Sequence, residues 1–258
     1  IMDTNAGDYF PSFIKLNGID RLVIYGLPAE WTMLEIRDGE VAFLPAAKYL
    51  GMDNIDLREA VEKDFAGRWT KDLAMANITR AGENLVLTSG IMAGPKSLYA
   101  RGGPGAKMGS LRLKGIVVRR KADRTADGAF PEKVKPMNRE IAAQLLDTGV
   151  VKSALKIRGT PFLYKPSRLL GAMGTKNNQE TTWTDRLDAE NLDPFRPGMA
   201  GCFACPVNCR PLNDLKTEGK GDRYDAGDGP EYVTLGKFGP NIGVEDPKLV
   251  LRFNNICN

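Results

Sequence analysis

Gly201-Cys-Phe-Ala-Cys-Pro-Val-Asn-Cys-Arg210 gathers three of the chain's four cysteines at C-x2-C-x3-C spacing. On so short a loop Cys202, Cys205 and Cys209 can turn toward one point, and soft thiolates converging on a point suit an iron–sulfur cluster or zinc. Pro206 stiffens the turn, and Gly201 lets it begin sharply. Three unrelated core cysteines would have no need of that spacing.

Around this loop the chain has the composition of a folded protein. With 258 residues, 42% of them hydrophobic, it can bury one large core or two ordinary ones. The net charge of +4 is mild, and basic residues are interspersed with acidic ones, which argues against a nucleic-acid surface but allows a basic face toward an anionic cofactor. No apolar run reaches the length of a membrane span, and no signal-peptide pattern opens the sequence. The bunched cysteines fit a reducing cytoplasm better than a disulfide-forming compartment. Histidine is absent. That removes Ser–His and Cys–His nucleophilic pairs from this stretch, so any proton transfer within it must use Asp, Glu, Tyr, Lys or a cofactor. A start at Ile1 and a stop at Asn258 inside a helical pattern suggest an internal piece of a longer protein.

Upstream of the cysteines, Asp3–Asp8 is turn-rich, suiting either an ordinary turn or a loop whose backbone approaches a ligand, and an amphipathic run follows from Phe10 to Leu16. Arg21–Gly26 reads as a strand. Thr32–Ile36 and Glu40–Leu44 alternate about Asp38-Gly39, a hairpin signal, and Asp56 with Glu59 forms a capping box for a helix burying Leu57, Ala60, Val61 and Phe65. Asn84–Ser89 reads as a further strand. Between Tyr99 and Ser110, Gly102, Gly103, Gly105 and Gly109 leave the backbone bare, so its N–H groups can approach an anion while Arg101 and Lys107 add charge. The spacing is neither that of a Rossmann turn nor that of a P-loop. Leu113–Arg119 is strand-like.

Charged, turn-rich sequence from Arg119 to Lys135 marks a domain boundary. Beyond it, Ile141, Leu145 and Leu146 share a helical face that Gly149 can end. Residues 159–200 read as an irregular path. After the cysteine loop, Asp246 and Pro247 open a helix whose buried side is expected at Leu249, Phe253 and Ile256.

Six segments in series resemble the aldehyde ferredoxin oxidoreductase family of tungsten–pterin enzymes. They are Thr4-Asn-Ala-Gly7, Ala81-Gly-Glu-Asn-Leu85, Arg101-Gly-Gly-Pro-Gly-Ala-Lys-Met-Gly-Ser110, Cys202-x2-Cys205-Pro-x2-Cys209, Gly229-Pro-Glu-Tyr232 and Gly239-Pro-Asn-Ile-Gly243. The resemblance implies an α+β fold, with residues 1–120 the C-terminal part of a β-rich domain that cradles two molybdopterins around one tungsten or molybdenum. Residues 121–258 would begin a mainly helical domain carrying the [4Fe-4S] loop. It implies that Asn5, Ala6, Gly7, Ala100, Arg101, Gly102, Gly103, Gly105, Ala106 and Gly109 hold the pterins, their phosphates and a bridging Mg2+. Cys202, Cys205 and Cys209 would be three ligands of the cluster, with the fourth beyond Asn258 and Cys257 left to packing. Glu231 would be the carboxylate near the metal; as a residue it reads equally well as a helix-start carboxylate or a surface ion pair. The implied activity is aldehyde oxidation to a carboxylic acid, with electrons passed to ferredoxin or a partner subunit in an anaerobic cytoplasm, and a homodimer is compatible with it. A downstream Gly-Leu-Asp and a late cysteine motif are expected.

Asp8, where the family more often has a second Gly, and Pro104, Lys107 and Leu111-Arg112 depart from its pattern and bear on the substrate and the phosphate contacts. Two other readings stand beside this one. A relative in the same superfamily would reduce an aromatic acyl-CoA at low potential, and a zinc-stapled binding module would use Cys202, Cys205, Cys209 and Cys257 around a structural ion.

Overall fold

The structure, a computed structural model, describes residues 3–95, 97–121, 130–216 and 221–257. Two compact units emerge, Ile1–Pro131 and Glu132–Asn258. The charged stretch read as a boundary includes residues 122–129, which lie outside the described residues.

The first unit is built on a six-stranded sheet. Strands β1 (Thr32–Arg37) and β2 (Glu40–Pro45) form the antiparallel hairpin, with Arg37 opposite Glu40. Asp38 and Gly39 take φ of 55° and 87°, the left-handed pair that a two-residue turn demands. β3 (Leu73–Asn77), β4 (Ile91–Ala93), β5 (Ser97–Tyr99) and β6 (Leu113–Arg119) complete the order β2-β1-β6-β3-β4-β5, parallel only between β1 and β6. Helix α1 (Phe10–Leu16) lies against β3 and β6, burying Phe13 and Leu16. Helix α2 (Asn54–Asp64) sets Leu57 and Val61 into a cluster with Met33, Met75 and Val117. Its cap is Asp53, whose carboxylate accepts the Asp56 N–H at 2.9 Å, so the helix is capped three residues earlier than Asp56.

Neither further strand expected here forms. Arg21–Gly26 pairs with nothing, and Val23 and Tyr25 are 69% and 89% exposed. Its apolar run has strand propensity, but among the described residues it joins neither open edge of the sheet, β2 or β5, so local propensity alone did not decide its state. Asn84–Ser89 turns instead, because the short helix α3 (Arg80–Glu83) precedes it and the Val86 and Ser89 amides donate back to Ala81 O and Val86 O.

In the second unit α5 (Pro131–Asp147) does not stop at Gly149. After a bend at Thr148 the chain is helical again from Gly149, through a π-turn at Val151–Leu155 and α6 (Lys156–Arg158), to Gly159 at φ 67°. Met137, Ile141 and Leu145 on α5 are exposed. Then come α7 (Tyr164–Leu169), a run of 3-10 turns, and a three-stranded antiparallel sheet of β7 (Met199–Ala200), β8 (Arg210–Asp214) and β9 (Ala226–Asp228). Helices α8 (Tyr232–Phe238) and α9 (Pro247–Cys257) close the unit over Tyr164, Met173, Leu187, Leu235 and Val250. A β-rich unit followed by a mainly helical one is the α+β class expected.

Helix α9 buries a different face from the one its apolar residues suggest. Leu249 and Ile256 are exposed, whereas Val250, Leu251, Asn254 and Asn255 are buried. The two asparagines are satisfied there: Asn255 exchanges hydrogen bonds with Asn213 at 2.7 and 2.9 Å, and Asn254 donates to Asp228 O at 2.7 Å. Among the described residues no helix is long and apolar enough to cross a membrane.

Candidate functional site

The Gly-rich segment is a turn followed by a helix rather than a loop. Arg101-Gly-Gly turns the chain, and Pro104 opens α4 (Pro104–Ser110), its fixed φ suiting the first helical position. Most of its glycines serve close packing. A Cβ on Gly109 would stand 2.0 Å from Gly82 O, one on Gly105 2.4 Å from Gly90 O, and one on Gly103 2.2 Å from Leu87 O. Gly105, Ala106 and Gly109 are buried against the 82–90 segment, while Arg101, Gly102 and Lys107 are exposed. The bare backbone available to an anion is therefore shorter than the motif.

The packing beneath α4 is anchored by a buried ion pair. Lys114 on β6 is fully buried; its Nζ donates to Ile78 O at 2.8 Å and to Glu83 Oε1 at 2.5 Å. Burial lowers the Lys114 pKa, and Glu83 opposes that shift. The other oxygen of Glu83 accepts the Gly51 N–H at 2.9 Å.

Beside α4 lies a cavity of about 590 Å³, walled by Phe10, Ile24, Ala76, Ile91, Met108, Leu111, Leu113 and Ile116. Thr4, Tyr99, Arg101, Gly102 and Lys107 complete its lining. The Arg101 N–H donates to Thr4 Oγ1 at 3.3 Å, joining segments 97 residues apart. Burial raises the Tyr99 pKa, so its phenol remains a proton-bearing donor. Arg101 and Lys107 form no ion pair among the described residues, leaving two cations on an apolar hollow, a combination suited to a ligand with a flat body and anionic groups. Asn5 and Gly7 are exposed and Ala6 half-buried, next to Thr4 in sequence. Asp8 is buried at φ 79° against Gly94, holding a left-handed conformation that glycine adopts freely.

The second cluster, in the helical unit, is the cysteine loop. Ala204 and Asn208 take positive φ, Cys205 N–H donates to Cys202 O at 3.1 Å, and a Cβ on Gly201 would meet Asn208 Oδ1 at 2.2 Å. None of the four cysteines forms a disulfide; Cys202 and Cys257 are exposed and Cys205 and Cys209 half-buried. Burial, then the Glu231 carboxylate, then Cys205 raise the Cys209 pKa, which puts Glu231 in the field of this thiol. Among the described residues no group of three or more His, Cys, Asp or Glu side chains is assembled to hold a metal ion, so the thiols share a loop without closing on a centre.

Glu231 stands at the N-cap position of α8, yet its side chain does not cap the helix. Its carboxylate accepts instead from the Thr160 hydroxyl, and that hydroxyl accepts the Tyr232 N–H at 2.9 Å. Thr160, Tyr99 and Lys114 were not singled out by the sequence. Tyr99 borders the Gly-rich motif and was within reach of inspection; Thr160 lies 71 residues from Glu231 with no local signal.

Two family models match the chain: the aldehyde ferredoxin oxidoreductase N-terminal domain over residues 1–120, and aldehyde ferredoxin oxidoreductase domains 2 and 3 over residues 136–258. Among curated proteins, the tungsten-containing aldehyde ferredoxin oxidoreductase of Pyrococcus furiosus is 28% identical, the match covering 98% of this chain and 41% of that protein. The enzyme of the same name from Pyrococcus abyssi is 30% identical, covering 98% and 40%. The aliphatic sulfonate oxidoreductase WOR-like subunit of Pyrococcus furiosus is 26% identical, covering 95% and 40%. The chain thus spans about two fifths of the length of the curated relatives it matches. Among solved structures, the BamBC active-site complex of benzoyl coenzyme A reductase with 1,5-dienoyl-CoA superposes with a TM-score of 0.69 at 23% identity, over 97% of this chain and 38% of that one, which establishes a shared fold.

Proposed function

The chain belongs to the aldehyde ferredoxin oxidoreductase family, and on that premise we propose that it is part of a tungsten–pterin oxidoreductase that converts an aldehyde to a carboxylic acid. The observation that carries this reading is the apolar cavity bearing Arg101 and Lys107, neither ion-paired among the described residues, and the exposed start of the Gly-rich segment. A planar pterin with phosphates matches that hollow. Arg101 and Lys107 would neutralise phosphate charge, the main chain from Asn5 to Gly7 and from Ala100 to Gly103 would line the phosphates and a bridging Mg2+, and Tyr99 would donate a hydrogen bond. Gly105, Ala106 and Gly109 would act indirectly, by letting α4 pack close enough to present that edge.

When bound, a dithiolene-held tungsten supplies the two-electron oxidation. Glu231, the carboxylate that the family resemblance puts near the metal, would take the proton from water adding to the aldehyde carbon. Cys202, Cys205 and Cys209, which are not drawn together among the described residues, would have to turn inward to hold three corners of a [4Fe-4S] cluster that would pass electrons to ferredoxin or a partner subunit; thiols at this spacing have the right donor chemistry.

Metal analysis of anaerobically purified protein tests the reading. Iron and tungsten should co-purify with brown absorbance, and Cys209→Ser should deplete the iron. Zinc alone would refute the enzyme in favour of a stapled binding module. Reduction of an artificial acceptor by a simple aldehyde, with no turnover of an aromatic acyl-CoA, separates the proposal from the acyl-CoA reductase that shares its fold.

A further inference from the structure

We propose that Thr160 is a positioning residue for Glu231, fixing where its carboxylate points. The inference rests on the reading of Glu231 as a proton acceptor. Thr160 arrives from a distant element: α6 ends at Gly159, where φ of 67° and a virtual Cβ only 2.3 Å from Cys209 O leave room for no side chain. This places the next residue beside both the cysteine loop and the start of α8. The Thr160 oxygen accepts the Tyr232 N–H at 2.9 Å, and its hydroxyl donates to Glu231 Oε2. Because that N–H occupies one lone pair, the single hydroxyl proton is directed at the carboxylate.

The arrangement separates two duties that one residue at a helix start usually combines. The N-cap side chain would ordinarily accept a helix amide, and Glu231 does not. Thr160 takes the amide and at the same time holds one oxygen of Glu231. A proton acceptor acts through geometry before it acts through basicity, so loss of the tether should reduce turnover without weakening substrate binding.

The test compares parent, Thr160→Val, Thr160→Ser, Glu231→Gln and the Thr160→Val/Glu231→Gln double variant as metal-loaded proteins. Iron per chain, kcat and KM for a simple aldehyde are measured, with hydrogen–deuterium exchange at the Tyr232 amide in the metal-free proteins. Thr160→Val should keep its iron and KM, lose about 10- to 100-fold in kcat and expose the Tyr232 amide. Thr160→Ser should restore both, and the double variant should be no slower than Glu231→Gln. A Thr160→Val kcat within twofold of the parent, beside an impaired Glu231→Gln, overturns the positioning role; so does equal loss of iron and kcat, which marks general damage. An unimpaired Glu231→Gln refutes the role of Glu231 itself, and faster Tyr232 exchange in Thr160→Val would then report only a helix cap.

Discussion

Replacing Glu83 by Gln tests the ion pair beneath α4. The side chain is 11% exposed and Lys114 0% exposed, so little water can compensate for a lost charge. Glu83 serves two donors at once, the Lys114 ammonium through Oε1 and the Gly51 N–H through Oε2. Gln has one acceptor oxygen for both, and whichever donor loses faces an NH2. Breaking a buried pair on one side costs about 3–5 kcal/mol, and because Gln retains one bond we expect about 3 kcal/mol. Lys114→Met alone should cost about 2 kcal/mol, leaving a poorly solvated carboxylate. In the double variant the Gln oxygen is free for Gly51, so the effects should fall short of additive by about 2 kcal/mol. Urea melts followed by Trp31 and Trp69 fluorescence, in a Trp183→Phe background, report this unit alone. The sign of the pH dependence is a second check. Burial holds the folded pKa of Lys114 below its value of 10.5 in the open chain, so between the two the unfolded chain binds more protons and stability rises with pH. Glu83→Gln should steepen that rise, because it removes the group that opposes the shift. Additive single variants, or a Glu83→Gln loss under about 0.5 kcal/mol, would refute the claim that the pair is coupled and dry.

Tyr49 should give the opposite slope: burial, then its hydrogen bond to Asp64, push its pKa from 10.0 up to about 12, so its stabilisation is intact below pH 10 and lost as pH rises toward 12. Alkaline melts of Tyr49→Phe should lack that part of the decline. Gly109→Ala drives a methyl to 2.0 Å from Gly82 O and should cost about 1–3 kcal/mol or partly unfold α4, read by amide exchange along Pro104–Ser110. Asn255→Leu removes the donor to Asn213 Oδ1 and Tyr224 O and should cost about 2–3 kcal/mol in the second unit, read by the Trp183 signal.

Legibility in the sequence followed the range of the interaction. The Asp38-Gly39 hairpin and the β6 strand were readable because a left-handed pair and an apolar run specify themselves locally. The apolar stripe of α9 points to the wrong buried side, because Asn254 and Asn255 find their acceptors on a hairpin some 30 residues away. Arg21–Gly26 shows the same limit in reverse: its strand chemistry is local, whereas joining either open edge of the sheet is a tertiary matter.

The candidate site divides along the same line. Residue order alone carried the family motifs, the absence of histidine and the three thiols on one loop, since these are matters of which groups are present and how far apart along the chain they lie. Tertiary structure decided that most of the glycines are consumed in packing α4, that Thr4 meets Arg101 beside an apolar hollow, and that Thr160 meets Glu231. Each of these joins segments far apart in sequence, and such a contact forms only when burial elsewhere has already paid the entropy of bringing them together.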